Sequence, residues 1–214
     1  MSVGSTPHMK DFLRLALTDT LRGSAAAGTG WPYISPRKNT GNQPPKNALM
    51  VFEETVERMF ADLRNMVSRQ KGISHIRNVL GDSRERQDLP DGSVSLALTS
   101  PPYLNNYDYA DRTRLETYFW GIAKSWKEIS SQFRDKLMVA ATTQVTRSKY
   151  QVDTALSLEI RDIAPHVYDI VQDAVLRLAD LRLQKGGRKD YDLMVALYFN
   201  DMLNIAQKCT FCAH

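Results

Sequence analysis

The pair Pro101-Pro102 constrains the fold of this chain more than any other feature, because it ends an apolar segment abruptly. Residues 94–98 favour a β-strand, and two consecutive prolines cannot donate the backbone hydrogen bonds that would continue it. A second strand is predicted at residues 75–80, where Gly81-Asp82 ends the segment. The sequence therefore predicts two short strands, each followed at its carboxyl end by polar side chains.

Most of the remaining sequence predicts helices. Apolar residues recur at helical spacing in six segments, residues 9–22, 47–69, 111–122, 124–137, 154–183 and 190–208. We expect Asn47 to cap the second helix and Pro165 to break the fifth. Residues 23–47 are rich in Gly, Ser, Pro and Asn, which favours an irregular connection.

The composition is that of a globular protein. The chain has 214 residues, 43% of them hydrophobic, and a formal net charge of +4, which argues against collagen-like, disordered and coiled-coil classes. No segment approaches the roughly 20 consecutive apolar residues that cross a bilayer, and the first residues do not resemble a secretory signal. We therefore expect a cytoplasmic protein that makes no membrane contact and binds nucleic acid only weakly through net charge alone.

The last residues contain half of a possible zinc site, Cys209, Cys212 and His214. A structural zinc site needs four ligands, and a fourth is not evident in the sequence. The two cysteines are also too few to form a disulfide framework. We therefore predict no metal.

The segment from Ser100 to Tyr103 carries the chemistry. Its two prolines have backbone carbonyl acceptors but no backbone N–H donors, and Tyr103 supplies a flat aromatic face. Carbonyl and hydroxyl acceptors beside an aromatic ring can bind the exocyclic amine of a nucleobase that has been extruded from a nucleic-acid double helix. Accepting hydrogen bonds from the N–H groups of that amine positions its nitrogen to attack an electrophilic carbon held in line with it.

The sequence Ser100-Pro101-Pro102-Tyr103 resembles the catalytic loop of the amino-directed DNA methyltransferases, which methylate cytosine N4 or adenine N6 with S-adenosylmethionine. The preceding Gly81-Asp82 block and the turn at residues 89–92 are also similar to that family. The resemblance covers about residues 10–205, but only residues 81–121 are specific. It implies an α/β fold with a partial Rossmann-like sheet, few strands and a large helical portion. Serine at the first position favours cytosine N4.

The resemblance also implies roles for individual residues. Ser100 and the Pro101 carbonyl would accept hydrogen bonds from the target amine, Pro102 would keep the loop rigid, and Tyr103 would stack on the base. Asp82 would bind the adenine amino group of S-adenosylmethionine. Four further residues would line a nucleic-acid channel, Tyr107, Tyr109, Arg112 and Arg114.

One expected element of the family is absent from the sequence. The Gly-rich loop that binds the methionine part of the cofactor is not present, and Gly28-Thr29-Gly30 does not lie between a strand and a helix. We therefore expect an N-terminal helical segment at residues 1–72 and a partial catalytic core at residues 73–214, with a helical insertion at about 123–187. A second chain could supply the cofactor loop for site-specific DNA methylation, as in restriction-modification. One alternative is a noncatalytic DNA-binding or specificity subunit, or a degenerate remnant of such an enzyme. Another is a methyltransferase that uses the same loop to act on an amine of RNA or protein.

Overall fold

The computed structural model describes residues 7–25, 46–69, 72, 75–85, 89–186 and 189–212. In this part of the chain it contains eight α-helices, α1 to α8, and four short 3₁₀ turns. The helices are α1 (Pro7–Ser24), α2 (Ala48–Arg69), α3 (Tyr109–Arg112), α4 (Arg114–Phe119), α5 (Trp126–Gln132), α6 (Leu158–Ile163), α7 (Pro165–Gln184) and α8 (Tyr191–Cys212). No helix in these residues is long and apolar enough to cross a membrane.

The predicted α/β fold is wrong, because the described residues form no strand and therefore no Rossmann-like sheet. Residues 75–80 and 96–100 have no regular secondary structure. Leu96 and Leu98 are 79% and 93% exposed, so the segment predicted as a buried strand lies at the surface. A strand makes its backbone hydrogen bonds to neighbouring strands, and β-propensity without such neighbours does not fix a strand.

The chain divides into two compact units. The first comprises Met1–Arg77 and Ala110–Ile129, and the second comprises Asn78–Tyr109 and Ser130–His214. The segment Ala110–Ile129 belongs to the same unit as the N-terminal helices. The predicted functional division, and the helical insertion within it, stay predictions.

Both segments form the helices that their periodicity predicts, and in the first unit α1 packs against α2. The aromatic rings of Phe12 and Phe60 lie 4.8 Å apart between the two helices. The predicted cap is confirmed, since the Asn47 Oδ1 accepts a hydrogen bond of 3.0 Å from the amide of Leu49. The irregular loop predicted for residues 23–47 lies largely outside the described residues.

The close approach of α1 and α2 depends on Gly23. A Cβ at this position would lie 2.7 Å from the Val51 Cγ1, and valine is stiff at χ1. We expect Gly23→Ala to destabilise the protein by about 1 kcal/mol, because the cost of overpacking exceeds the gain in helix propensity.

Urea denaturation of Gly23→Ala, Val51→Ala and the double variant tests this expectation. The double variant should be more stable than the sum of the two single effects predicts, since Val51→Ala removes the clashing methyl group. Additive effects would show that Gly23 is not needed for the contact.

The segment 110–129 completes the first unit. Its predicted single helix at residues 111–122 is interrupted at Thr113, which separates α3 from α4. The side chain of Arg22 on α1 forms an ion pair with Glu116, and the Trp120 Nε1 donates a 3.1 Å hydrogen bond to the Thr18 hydroxyl. These contacts fix α4 against α1.

The second unit is built around α6, α7 and α8. The predicted break at Pro165 is confirmed, because α6 ends at Ile163 and Pro165 is the first residue of α7. Gly186, just after α7, has a φ of +78°, a left-handed conformation that glycine adopts without strain and that prevents the helix from continuing. Side chains from all three helices and the residues before α6 form the core, among them Leu156, Ile160, Val171, Val175 and Leu193.

Candidate functional site

The loop from Ser100 to Tyr103 lies at the surface of the second unit. Tyr103 is 71% exposed and Ser100 is also exposed, while Pro101 and Pro102 are half-buried. An inward-packed Tyr103 would have removed the predicted stacking surface, and this is not the arrangement found. The exposed Ser100 and Tyr103 therefore present a hydroxyl group and an aromatic ring at the surface of this unit.

Tyr198, on α8, holds the middle of this loop. Its hydroxyl donates a 3.0 Å hydrogen bond to the Pro102 carbonyl. Burial, together with the nearby Tyr109, raises the pKa of the Tyr198 phenol, which therefore stays protonated and keeps donating. The Pro102 carbonyl is thus engaged by the protein itself, and the Pro101 carbonyl is the one that the resemblance assigns to the target amine.

Asn106 fixes the chain just after the loop. Its backbone is left-handed, with a φ of +62°, a conformation that asparagine tolerates better than most residues. Its Oδ1 accepts hydrogen bonds from the backbone amide and the hydroxyl of Thr142, at 2.8 Å and 2.9 Å. The Asp108 carboxylate accepts a 2.6 Å hydrogen bond from the Thr143 hydroxyl. The loop therefore has fixed anchors at Pro102, Asn106 and Asp108, although Tyr103 itself is open.

Asp82, the predicted cofactor ligand, is held by Arg84. The Asp82 Oδ1 accepts from the Arg84 backbone amide at 2.9 Å and from its Nε at 3.0 Å, and Oδ2 accepts from an Nη at 2.6 Å. These hydrogen bonds lower the pKa of Asp82 despite some burial. Asp82 is therefore a carboxylate whose two oxygens already accept from one guanidinium.

Arg84 also links Asp82 to α8. Its second Nη lies 3.2 Å from the Asp201 Oδ1, and the Asp201 Oδ2 accepts a 2.9 Å hydrogen bond from the Val139 amide. The Lys136 carbonyl accepts a further hydrogen bond from Arg84. A polar cavity of about 290 Å³ lies beside this network, but Arg84 and Asp201 are already occupied by structural contacts.

The four predicted nucleic-acid residues fall into different settings. Tyr107 and Tyr109 form a tilted ring pair with centroids 4.6 Å apart, and Tyr109 is exposed. Arg114 lies 3.5 Å from the Asp111 carboxylate and 5.3 Å from the centre of the Trp126 ring. Arg112 is the last residue of α3 and is half-buried. The tyrosine pair belongs to the second unit and both arginines to the first, and their roles stay predictions.

The described residues contain no group of three or more side chains placed to hold a metal ion. Cys209 is a half-buried free thiol on α8. The side chain of Cys212 and all of His214 lie outside the described residues, so the prediction of no metal stays a prediction.

Sequence reasoning assigned no role to Arg84, Asn106, Tyr198 or Asp201, which hold the candidate site. All four lie in segments on which the resemblance is based, Arg84 and Asn106 within residues 81–121, so the sequence carried a signal for their positions but none for their contacts. Comparison of the chain with protein-family models, curated proteins and solved structures gave no match. The function must therefore be inferred from the residues of this chain.

Proposed function

We propose that this chain takes part in S-adenosylmethionine-dependent methylation of an exocyclic amino group in DNA, with cytosine N4 favoured over adenine N6. The observation that supports the proposal is the arrangement of the loop. Ser100 and Tyr103 are exposed, while Pro102 and Asn106 are anchored by Tyr198 and Thr142. Such a loop offers fixed acceptors and an open ring to an extruded base.

In the proposed reaction, the target base stacks on the Tyr103 ring. The Ser100 hydroxyl and the Pro101 carbonyl accept hydrogen bonds from the two N–H groups of its amino group. These hydrogen bonds hold the amino nitrogen with its lone pair available for in-line attack. S-adenosylmethionine, when bound, would supply the methyl group; its transfer to the nitrogen would release S-adenosylhomocysteine, and the methylated amine would lose one proton to solvent.

The cofactor requires residues beyond those that this chain offers. Because both oxygens of Asp82 already accept hydrogen bonds from Arg84, and because no Gly-rich loop of the family is present in the sequence, we propose that a second chain supplies the main cofactor contacts. DNA and this second chain are the partners that the proposal requires.

Replacing Tyr103 and Ser100 tests the proposal. We expect Tyr103→Ala to lower the rate of methyl transfer about 10- to 100-fold, the range that base–aromatic stacking supplies. Ser100→Ala should lower it about 100-fold, because the amine loses a positioned acceptor. Tyr103→Phe is the matched control, and it should keep the wild-type rate because it keeps the ring.

The assay measures transfer of a labelled methyl group from S-adenosylmethionine to DNA. It uses the chain co-expressed with the products of neighbouring reading frames, which could supply the cofactor loop. Equal rates for wild type, Ser100→Ala and Tyr103→Ala would contradict the proposed role of the loop. Absence of transfer by the wild-type assembly would contradict the enzymatic proposal itself.

The alternative function is a noncatalytic DNA-binding or specificity subunit. The engagement of Asp82 by Arg84 favours it, because the predicted cofactor carboxylate already has an internal partner. Calorimetric titration of the isolated chain with S-adenosylmethionine distinguishes the methyltransferase from the noncatalytic subunit. Binding excludes a subunit without cofactor affinity, whereas DNA binding without cofactor binding or methyl transfer in the assembly supports the alternative.

A further inference from the structure

A second surface of the chain has the chemistry of a small-molecule site. A cavity of about 350 Å³ lies where α7 ends and α8 begins, within the second unit. The described residues that line it are Leu178, Leu181, Arg182, Lys185, Lys189 and Tyr191. Its volume is at the lower end of the range for ligand sites, roughly 300–1,000 Å³, so it fits one ring system with a small substituent.

The apolar part of the cavity is formed by two leucines and one aromatic ring. Leu178 and Leu181 lie on α7, and Leu181 is exposed although it is apolar. Tyr191, the first residue of α8, is half-buried and contributes its ring. Aliphatic and aromatic walls of this kind favour a flat, apolar ligand body.

The rim of the cavity is positively charged. No acidic side chain is among its described lining residues. Arg182 is compensated, because its Nε lies 3.2 Å from the Asp190 carboxylate. Lys185 and Lys189 form no ion pair with any described residue. The Lys189 ammonium lies 3.4 Å from the Tyr191 hydroxyl and 5.6 Å from the centre of its ring, which places a cation at the edge of the apolar surface.

We propose that this cavity binds a small aromatic phosphate monoester, with the ring against Leu178, Leu181 and Tyr191 and the phosphate at Lys185 and Lys189. A phosphate monoester carries a charge of about −1.5 to −2 at neutral pH, which two uncompensated lysines match. Charge-assisted hydrogen bonds to both ammonium groups fix the orientation of the ligand. The site is separate from the loop at residues 100–103, and it does not depend on the proposed methyltransferase function.

Three probes divide the ligand into its parts. 1-Naphthyl phosphate has the ring and the anion, 1-naphthol has the ring alone, and inorganic phosphate has the anion alone. In calorimetric titrations of the full chain, 1-naphthyl phosphate should bind at least about tenfold more tightly than either half, because only it uses both surfaces. Its affinity should fall as sodium chloride is raised.

Lysine variants locate the binding. Lys185→Gln and Lys189→Gln should each weaken binding of 1-naphthyl phosphate about tenfold, the loss expected for one hydrogen bond to a charged group. Lys10→Gln, an exposed lysine on α1 that does not line the cavity, makes the same change in net charge and should bind as wild type does. Thermal unfolding of each variant checks that Lys185, at the end of α7, has not altered the fold.

The proposal is overturned if 1-naphthyl phosphate binds no more tightly than 1-naphthol or phosphate. It is also overturned if Lys185→Gln and Lys189→Gln match Lys10→Gln while they keep the wild-type fold. Loss of binding in both lysine variants, with unchanged thermal unfolding, supports the site.

Discussion

Arg147→Met is expected to destabilise the protein by about 3 kcal/mol, the lower end of the cost of leaving a buried charge without its partner, because the Asp192 carboxylate is fully buried whereas the Arg147 side chain is 31% exposed. Asp192, in the first turn of α8, is 0% exposed. Its two carboxylate oxygens accept from the two Nη atoms of Arg147 at 3.0 Å and 2.7 Å. Methionine keeps much of the side-chain volume but no charge, so Asp192 would remain buried without its bidentate partner.

The expected loss is measured as the change in free energy of unfolding in urea. Arg177→Met is the matched control, because Arg177 lies on α7 in an exposed pair with Asp173. Exposed pairs contribute about 0–1 kcal/mol, so this variant should stay close to wild type. The double variant Arg147→Met with Asp192→Asn should be more stable than Arg147→Met alone, since no unpaired charge is then buried. Equal losses in the two arginine variants would contradict the argument.

The same pair predicts a pH dependence. Burial raises the pKa of Asp192, but the hydrogen bonds from Arg147 and the Leu193 amide and the charges of Arg147 and Arg182 outweigh it and lower the pKa overall. A lowered pKa in the folded state adds stability above the unfolded pKa of about 3.9, and this stability is lost as pH falls through the folded value. The stability of Arg147→Met should therefore decrease less than that of wild type on acidification below about pH 4.

The elements that the sequence predicted correctly are those that depend on local signals. The periodicity of α1, α2, α7 and α8 spans several turns, and Asn47 and Pro165 act on their immediate neighbours. The two predicted strands depend on partners elsewhere in the chain. Their apolar composition could not show whether those partners exist, and the exposed Leu96 and Leu98 show that the described residues do not supply them.

The candidate loop also combines features that the local sequence predicts with contacts to residues that are distant in sequence. Its residue types suggested acceptors and an aromatic face, and Tyr103 is exposed as that role requires. The residues that hold the site are distant in sequence, since Tyr198 lies 96 residues from Pro102 and Asp201 lies 117 residues from Arg84. Contacts of this kind follow from the packing of α8, and no motif within the loop encodes them.

Gln144 stabilises the segment against which that loop is anchored. Its Oε1 accepts hydrogen bonds of 2.9 Å and 3.0 Å from the amides of Ala140 and Ala141, both of which are buried. Its Nε2 donates a 3.0 Å hydrogen bond to the Met138 carbonyl. Gln144→Met should cost about 2–4 kcal/mol, because each buried donor left without an acceptor costs about 1–3 kcal/mol.

Two further variants separate the loss of these hydrogen bonds from the loss of side-chain polarity in general. Gln144→Glu keeps an acceptor for both amides and should lose less stability than Gln144→Met. Gln151→Met makes the same substitution at an exposed position and should resemble wild type in urea.

Hydrogen exchange connects this stability to the candidate loop. Thr142, the residue that donates its amide to the Asn106 side chain, begins the 3₁₀ turn that contains Gln144. Loss of the Gln144 hydrogen bonds should therefore increase exchange of the Thr142 amide in Gln144→Met and leave it unchanged in Gln151→Met. If Thr142 kept its protection in Gln144→Met, the loop would be anchored independently of Gln144. In that case the stability of this segment and the placement of Ser100 and Tyr103 would be separate properties of the chain.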